Sequence, residues 1–375
     1  MKRYSINYRI LIPIILLSII SIVAIYSALT YTSPSLGNLA LKQAVWYVIG
    51  WGFVVILVKL KNEYLYQLSW KFYIIGNILL LLLLFFGTPI NNSKCWFMIP
   101  GIGSIQPSEF MKIFIMLILA TEIHNFRSDY ANPDCRDEFL FLLKSFLIVF
   151  IPSLLTFLQP DTGAVLIYLI IYFSMMFVSG IRLRWFVGFG ICLSLLIGGI
   201  LCLYFWQQDL FIQLFGTSIF YRLERIFNWS TGSGLQLENA LASIGSAGLF
   251  GHGFNQTPIY FPESSTDFIF AVFASNFGLV GVLILLVVIA FLDINIILLA
   301  NKKIEDTDCY IVAGILGMLL FQQIQNIGMT LGLLPIMGIT LPFVSYGGSS
   351  LLSYMLIIGI LLNISSKKER TYKYR

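Results

Sequence analysis

Residues 261–270 read FPESSTDFIF and carry the chain from a long polar stretch into an apolar run long enough to cross a membrane. Asp267 is therefore expected near the first turn of a membrane helix, at the lipid–water boundary. The helix N-terminus and its backbone N–H groups would hold a carboxylate there, within reach of a ligand outside the bilayer. Such a carboxylate has the chemistry of a general base toward a sugar hydroxyl, the more so if burial raises its pKa. The plainer alternative is a first-turn acid that only stabilises the helix dipole, worth about 0.3–1 kcal/mol, with Ser264, Ser265 or Thr266 as the cap. A cap alone does not call for Pro262, Glu263, three hydroxyl residues and an aspartate in succession.

Two further apolar runs open on acids. Gln106-Pro107-Ser108-Glu109 starts one, with Lys112 three residues further on the same helical face. Ionisable groups within a span are costly and so are functional candidates. Glu109 and Lys112 read either as an internal ion pair that fixes packing or as substrate-facing groups, the lysine able to neutralise a phosphate. Gln159-Pro160-Asp161-Thr162-Gly163 starts the other, where Asp161 alone would be an N-cap and Gly163 permits close approach of a neighbour. Openings of this kind, together with Asp267, are most economically read as one shared outward-facing polar cavity. Near the end, LPFVSYGGSS at 341–350 suits an interrupted entry to a span, with backbone exposed to a cavity. There Ser349 and Ser350 read as small packing residues, and Ser345 and Tyr346 as the candidates for function.

The elements that must position these groups follow from composition. The 375 residues are 58% hydrophobic, 15% aromatic and 11% charged, with a mean hydropathy of +0.87. That is the balance of an all-α polytopic membrane protein. Ten segments are long enough to span, at 9–31, 41–59, 70–88, 106–123, 139–158, 161–179, 185–205, 267–298, 309–332 and 342–364. Eighteen of the 23 Lys and Arg residues fall on one side of that scheme, against Lys42, Lys94, Arg222 and Arg225 on the other, with Lys112 inside a span. The positive-inside rule then makes both termini cytoplasmic. One large outer loop, about 206–266, lies between the seventh and eighth spans, and a loop of that length is usually functional. Residues 235–249 within it suit a short amphipathic helix, and the glycine-rich 245–253 reads as a flexible loop rather than a phosphate cradle. No signal-peptide cleavage site follows the first apolar run. The net charge of +5 is spread by topology, which argues against nucleic acid as a partner. Five scattered cysteines and two distant histidines give no metal-ligand spacing.

QPSEFMK at 106–112, QPDTG at 159–163, PESSTDFIF at 262–270 and NIGMTLGLLPIMGITLPFVSYGGSS at 326–350 closely resemble the SEDS proteins, the RodA, FtsW and SpoVE group. The resemblance covers most of the chain as a single domain, 1–375. It implies a ten-span peptidoglycan glycosyltransferase of the bacterial cytoplasmic membrane, polymerising lipid II on the outer face. It also implies a class B penicillin-binding protein as transpeptidase partner. The family's essential aspartate falls on Asp267, its glutamate–lysine pair on Glu109 and Lys112, and its QPD acid on Asp161. Ser275 and Asn276 stand where relatives commonly carry acids. The NIGMT stretch and compact length lean to the RodA branch.

On this reading Asp267 deprotonates the 4-hydroxyl of the acceptor sugar, and Glu263, Thr266, Ser345 and Tyr346 are expected around the substrate. Lys112 and Arg225 are the candidate cations for the departing diphosphate. No cofactor is certain; a divalent cation (Mg or Mn) could take the same role, although no ligand cluster indicates one. The competing readings are a lipid II flippase, a division or sporulation polymerase, and a noncatalytic scaffold. Polar groups gathered at the outer span ends favour chemistry over transport, and a scaffold leaves Lys112 and Asp161 without a purpose.

Overall fold

The computed structural model describes residues 7–28, 38–90, 93–99, 103–217, 219–221, 234–301 and 305–366. Its helices are α1 (Tyr8–Ala28), α2 (Leu39–Lys59), α3 (Asn62–Gln67), α4 (Ser69–Phe86), α5 (Pro107–Asp129), α6 (Cys135–Leu158), α7 (Thr162–Val178), α8 (Leu183–Trp206), α9 (Gln208–Phe215), α10 (Gly234–Ser246), α11 (Ile269–Ala300), α12 (Asp306–Thr330) and α13 (Gly348–Ser366). Each of the ten expected apolar segments falls on a helix. Among the described residues, eight helices are long and apolar enough to cross a membrane. The other two are α7, apolar but 17 residues long, and α5, whose apolar run is diluted by Glu109, Lys112, Glu122 and Arg127. The chain is an all-α polytopic membrane protein whose outward faces are Leu, Ile, Val and Phe.

Between α4 and α5 lies a small antiparallel sheet that hydropathy did not signal: β1 (Thr88–Ile90), β2 (Ser93–Ile99) and β3 (Gly103–Ile105), in that order. Its register sets Thr88 against Trp96 and Met98 against Ser104. Helix α13 packs on α2, α12 on α7 and α5, and α1 on α11. By contrast α8 buries only Tyr204.

Residues 331–347 are non-helical and cross the middle of this packing, so the last helix starts at Gly348 rather than at 342. Neighbouring spans satisfy the exposed backbone of this segment. Ser21 of α1 donates to the Val344 carbonyl at 2.8 Å, Gln43 of α2 to the Ser345 carbonyl at 3.2 Å, and the Tyr47 hydroxyl to the Phe343 carbonyl. Phe343 sits in the left-handed region (φ 64), a conformation that persists where its surroundings over-determine it.

The expected flexible loop at 245–253 is instead docked. Gly278 (φ +61) interrupts α11, and the loop pairs with the backbone groups that the interruption frees. His252 and Gly253 N–H groups donate to the Ser275 and Asn276 carbonyls, both at 3.0 Å. Leu279 and Val280 N–H groups donate to the Gly248 and Leu249 carbonyls at 3.1 and 3.0 Å. Ser275 and Asn276 join this seam with their side chains: Ser243 donates to Ser275 at 2.9 Å, and the Gln256 N–H to the Asn276 Oδ1 at 3.0 Å. A Cβ at Gly278 would lie 2.4 Å from the Gly251 nitrogen. Gly278→Ala is expected to cost about 3 kcal/mol or more, combining a left-handed φ with a backbone clash. Gly245→Ala, with nothing within 4 Å of its Cβ, is expected to stay within about 1 kcal/mol of wild type. Melting temperatures of the two purified variants check this.

Candidate functional site

Asp267 lies in a turn two residues before α11, not in the helix. The helix takes Phe268 as its N-cap without a side-chain cap, so the expected hold on Asp267 by helical N–H groups is absent. The hydroxyls are not caps either. Thr266 donates to the Glu263 carboxylate at 2.7 Å and to the Glu263 carbonyl at 3.3 Å, and Ser264 is buried. The backbone is instead laced to the LPFVSY segment. Ser345 Oγ donates to the Thr266 carbonyl at 2.7 Å, and the Tyr346 N–H to the Ser265 carbonyl at 2.9 Å. From α12, Asn326 donates to the Asp267 carbonyl at 2.9 Å. Backbone lacing of this kind fixes where the Asp267 side chain starts, yet its carboxylate makes no hydrogen bond among the described residues. Burial pushes that carboxyl from 3.8 up to about 7, with the Glu263 charge adding to the rise.

The other two acid-bearing openings meet Asp267 around one cavity of about 1230 Å³. Asp161 caps α7, accepting from the Ala164 N–H at 3.0 Å. It also accepts from Gln106 at 2.9 Å and Ser108 at 3.3 Å, so the QPSE and QPD motifs are tied across two helices. Burial raises the Asp161 carboxyl despite these hydrogen bonds, and the nearby Glu109 charge adds to the rise. Gly163 is where α7 meets the non-helical segment: a Cβ there would lie 2.9 Å from the Met337 carbonyl. Glu109, Asp161, Glu263, Thr266, Asp267 and Tyr346 all line the cavity. Burial raises the Tyr346 phenol, which keeps it a neutral hydrogen-bonding group.

Two expected residues stand elsewhere. Lys112 is 1% exposed and absent from the lining; it pairs with Glu109 at 2.5 Å and lies 5.2 Å from the centre of the Tyr354 ring. The glutamate faces the cavity and the lysine stands behind it, because i and i+3 share a helix face but not a depth. Ser345 is buried and does not line the cavity, its hydroxyl committed to the Thr266 carbonyl. Arg225 lies outside the described residues.

Several lining residues escaped the sequence reading. Among the described residues Lys42 of α2 is the Lys or Arg that lines the cavity, beside Trp46. In the sequence it was one of only four basic residues on the outer side, which is a signal that could have singled it out. Cys95, Trp96, Met98 and Ser104 arrive on the small sheet, and Gln322 on α12. The described residues hold no group of three or more His, Cys, Asp or Glu that could take a metal ion.

The cell cycle protein family model, FTSW_RODA_SPOVE, matches residues 8–370. A probable peptidoglycan glycosyltransferase FtsW of Coxiella burnetii is 36% identical over 320 residues, covering 80% of each chain. Peptidoglycan glycosyltransferase MrdB of Helicobacter pylori is 33% identical over 333 residues, covering 87% of this chain and 83% of that one. Among solved structures, a chain of a peptidoglycan synthase complex that coordinates polymerization and crosslinking superimposes with a TM-score of 0.76 at 26% identity, covering 96% of this chain and 97% of that one. With its QPSE, QPD, STD and LPFVSYGG segments converging on a single cavity, and with a family match running almost end to end, this chain belongs to the SEDS family of FtsW, RodA and SpoVE proteins.

Proposed function

We propose that this protein is a peptidoglycan glycosyltransferase that polymerises lipid II on the outer face of the cytoplasmic membrane. The observation that carries the reading is Asp267, whose carboxylate lines the cavity without a hydrogen-bond partner among the described residues and is pushed up to about 7 by burial. A general base works best when its pKa lies close to the working pH. Asp267 takes the proton from the acceptor sugar 4-hydroxyl while that oxygen attacks the anomeric carbon of the donor glycan. The anomeric centre inverts, and the polyprenyl diphosphate departs with the bonding electron pair. Its growing charge needs a cation, and Lys42 is the described cation available in the cavity. Lys112 acts at one remove, through its 2.5 Å ion pair with Glu109 at the wall.

The test is the purified protein in liposomes, with a class B penicillin-binding protein as partner and labelled lipid II as substrate. Long glycan strands support the reading. Lipid II crossing the bilayer without polymer would instead establish a flippase. Since only ionised Asp267 can accept a proton, kcat/KM is expected to rise about tenfold per pH unit below pH 7 and level off above it. A flat profile between pH 5.5 and 8 would remove Asp267 as the base.

The resemblance to relatives bearing division and shape names is nearly equal, at 36% and 33% identity. We assign the elongation role on the NIGMT stretch and compact length. Depletion in the native cell is then expected to give rounded cells, whereas filaments would move the protein to division.

A further inference from the structure

The lipid-facing surface of α11 begins abruptly. Residues 269–276 are all buried, whereas Leu279, Leu283, Val287, Phe291 and Ile294 form an exposed apolar stripe at helical spacing. The change falls at Gly278, where the 245–253 loop is docked. From Gly278 to Ala300 the helix rises about 33 Å, close to the thickness of a bilayer core, so the break marks one membrane boundary.

The docked loop sets its large apolar side chains at that level. Phe250 is 77% exposed and Leu249 60%, and the Leu249 carbonyl itself accepts from the Val280 N–H at 3.0 Å. Phe254 stacks on Tyr26, two residues from the end of α1, with ring centres 5.8 Å apart and planes 12° from parallel. Both of these rings are exposed as well. Aromatic side chains concentrate at membrane–water boundaries, where the ends of spans lie. A loop standing in water would be expected to carry charge, yet between Glu238 and Glu263 the sequence has no Asp, Glu, Lys or Arg. The backbone bonds to residues 275–280 also keep the loop from collapsing over its own leucine and phenylalanine. Held out in this way, the pair adjoins the outer end of the α11 stripe, and that continuity points to the same solvent, lipid.

We propose that the 245–254 loop is an interfacial anchor, with Leu249 and Phe250 inserted into the bilayer leaflet nearer the cavity. This rests on the membrane class of the chain and not on its glycosyltransferase activity. The anchor is tied to the site through α10, where Gln236 donates to the Pro262 carbonyl at 3.1 Å and Asn239 to the Tyr260 carbonyl at 2.9 Å. With the seam at 275–280 on its other side, the anchored unit grips the chain before and after Asp267. It thereby sets the depth of that turn against the lipid headgroups.

Photocrosslinking of the full-length protein in vesicles of phosphatidylethanolamine and phosphatidylglycerol tests the contact. A single p-benzoylphenylalanine replaces Phe250, or Leu249, or Leu283 on the stripe, or the exposed Glu238 on α10. Position 250 is expected to give lipid adducts within about threefold of position 283 and roughly tenfold or more above position 238, read by mass spectrometry. A yield at the level of position 238 overturns the proposal. So does an adduct to a second protein in place of lipid when the experiment is run in native membranes. Should the variant at 250 fail to fold, position 249 decides. Hydrogen exchange reads the anchoring itself. Leu249→Ser combined with Phe250→Ser is expected to speed exchange of the His252 and Gly253 N–H groups in vesicles by about tenfold. Unchanged exchange would leave a passive contact and overturn the anchor.

Discussion

Asp267→Asn is expected to abolish glycan polymerisation, by roughly a hundredfold to ten-thousandfold, while lipid II binding stays within a few-fold of wild type. The asparagine keeps the shape of the side chain and cannot accept the acceptor's proton. The same substitution is expected to raise the melting temperature at pH 8 by a few degrees. The sign follows from the shift. The carboxyl titrates near 3.8 in the unfolded chain and at about 7 in the folded one, so the folded state prefers the protonated acid. Stability contributed by that preference is complete below about pH 4 and is lost as the pH rises to about 7. At pH 8 the wild type holds a half-buried charge without a hydrogen-bond partner among the described residues, and the amide removes it. A variant that is inactive yet more stable is the signature of a site kept strained for function. Full polymerisation by Asp267→Asn would sink the role given to Asp267; thermal unfolding and strand length on gels measure the two halves.

Replacing Glu109 of the Glu109–Lys112 pair alone is expected to be the most damaging change to folding near the cavity. Lys112 is 1% exposed and its ammonium meets Glu109 and the face of Tyr354. Glu109→Gln therefore strands a buried cation, and losing one partner of such a pair costs about 3–5 kcal/mol. Lys112→Met is milder, because Glu109 reaches the cavity and keeps a hydrogen bond from Ser353 at 3.4 Å. The double variant Glu109→Gln with Lys112→Met removes both charges and is expected to recover most of the folded yield. Polymerisation by the double variant then separates two roles. Activity near wild type would make the pair a packing device, whereas loss by tenfold or more in a well-folded protein assigns Glu109 to the substrate. Detergent-solubilised yield, melting temperature and turnover are the three readouts.

The path from sequence to cavity was uneven. Apolar run length located every long helix, because a bilayer accepts only segments that satisfy their own backbone, and that requirement is local. Pairing across helices was not local. That Gln106 and Ser108 reach Asp161 depends on how α5 meets α7, which no spacing within either motif encodes. The small sheet was missed because its strands are short and its cavity-facing residues, Cys95, Trp96, Met98 and Ser104, show no clean alternation. The docking of the loop at 245–253 was missed because glycines read as flexibility. Here Gly251 and Gly278 instead allow two backbones to touch, and the contact supplies hydrogen bonds that a broken helix lacks.

The sequence by itself determined the membrane class, the family and which acids to watch, since Asp267, Glu109 and Asp161 each stand at a marked opening of an apolar run. Charge type, span length and motif order are properties of short stretches and survive without coordinates. Only the tertiary structure decided what each acid does next. It took Asp267 off the helix and left its carboxylate without a hydrogen-bond partner among the described residues, put Lys112 behind Glu109 rather than beside a phosphate, and brought Lys42 into the cavity from α2. The physical reason is that burial and pairing depend on neighbours hundreds of residues away. The energy of a charge in a membrane is set by those neighbours and not by its place in the chain.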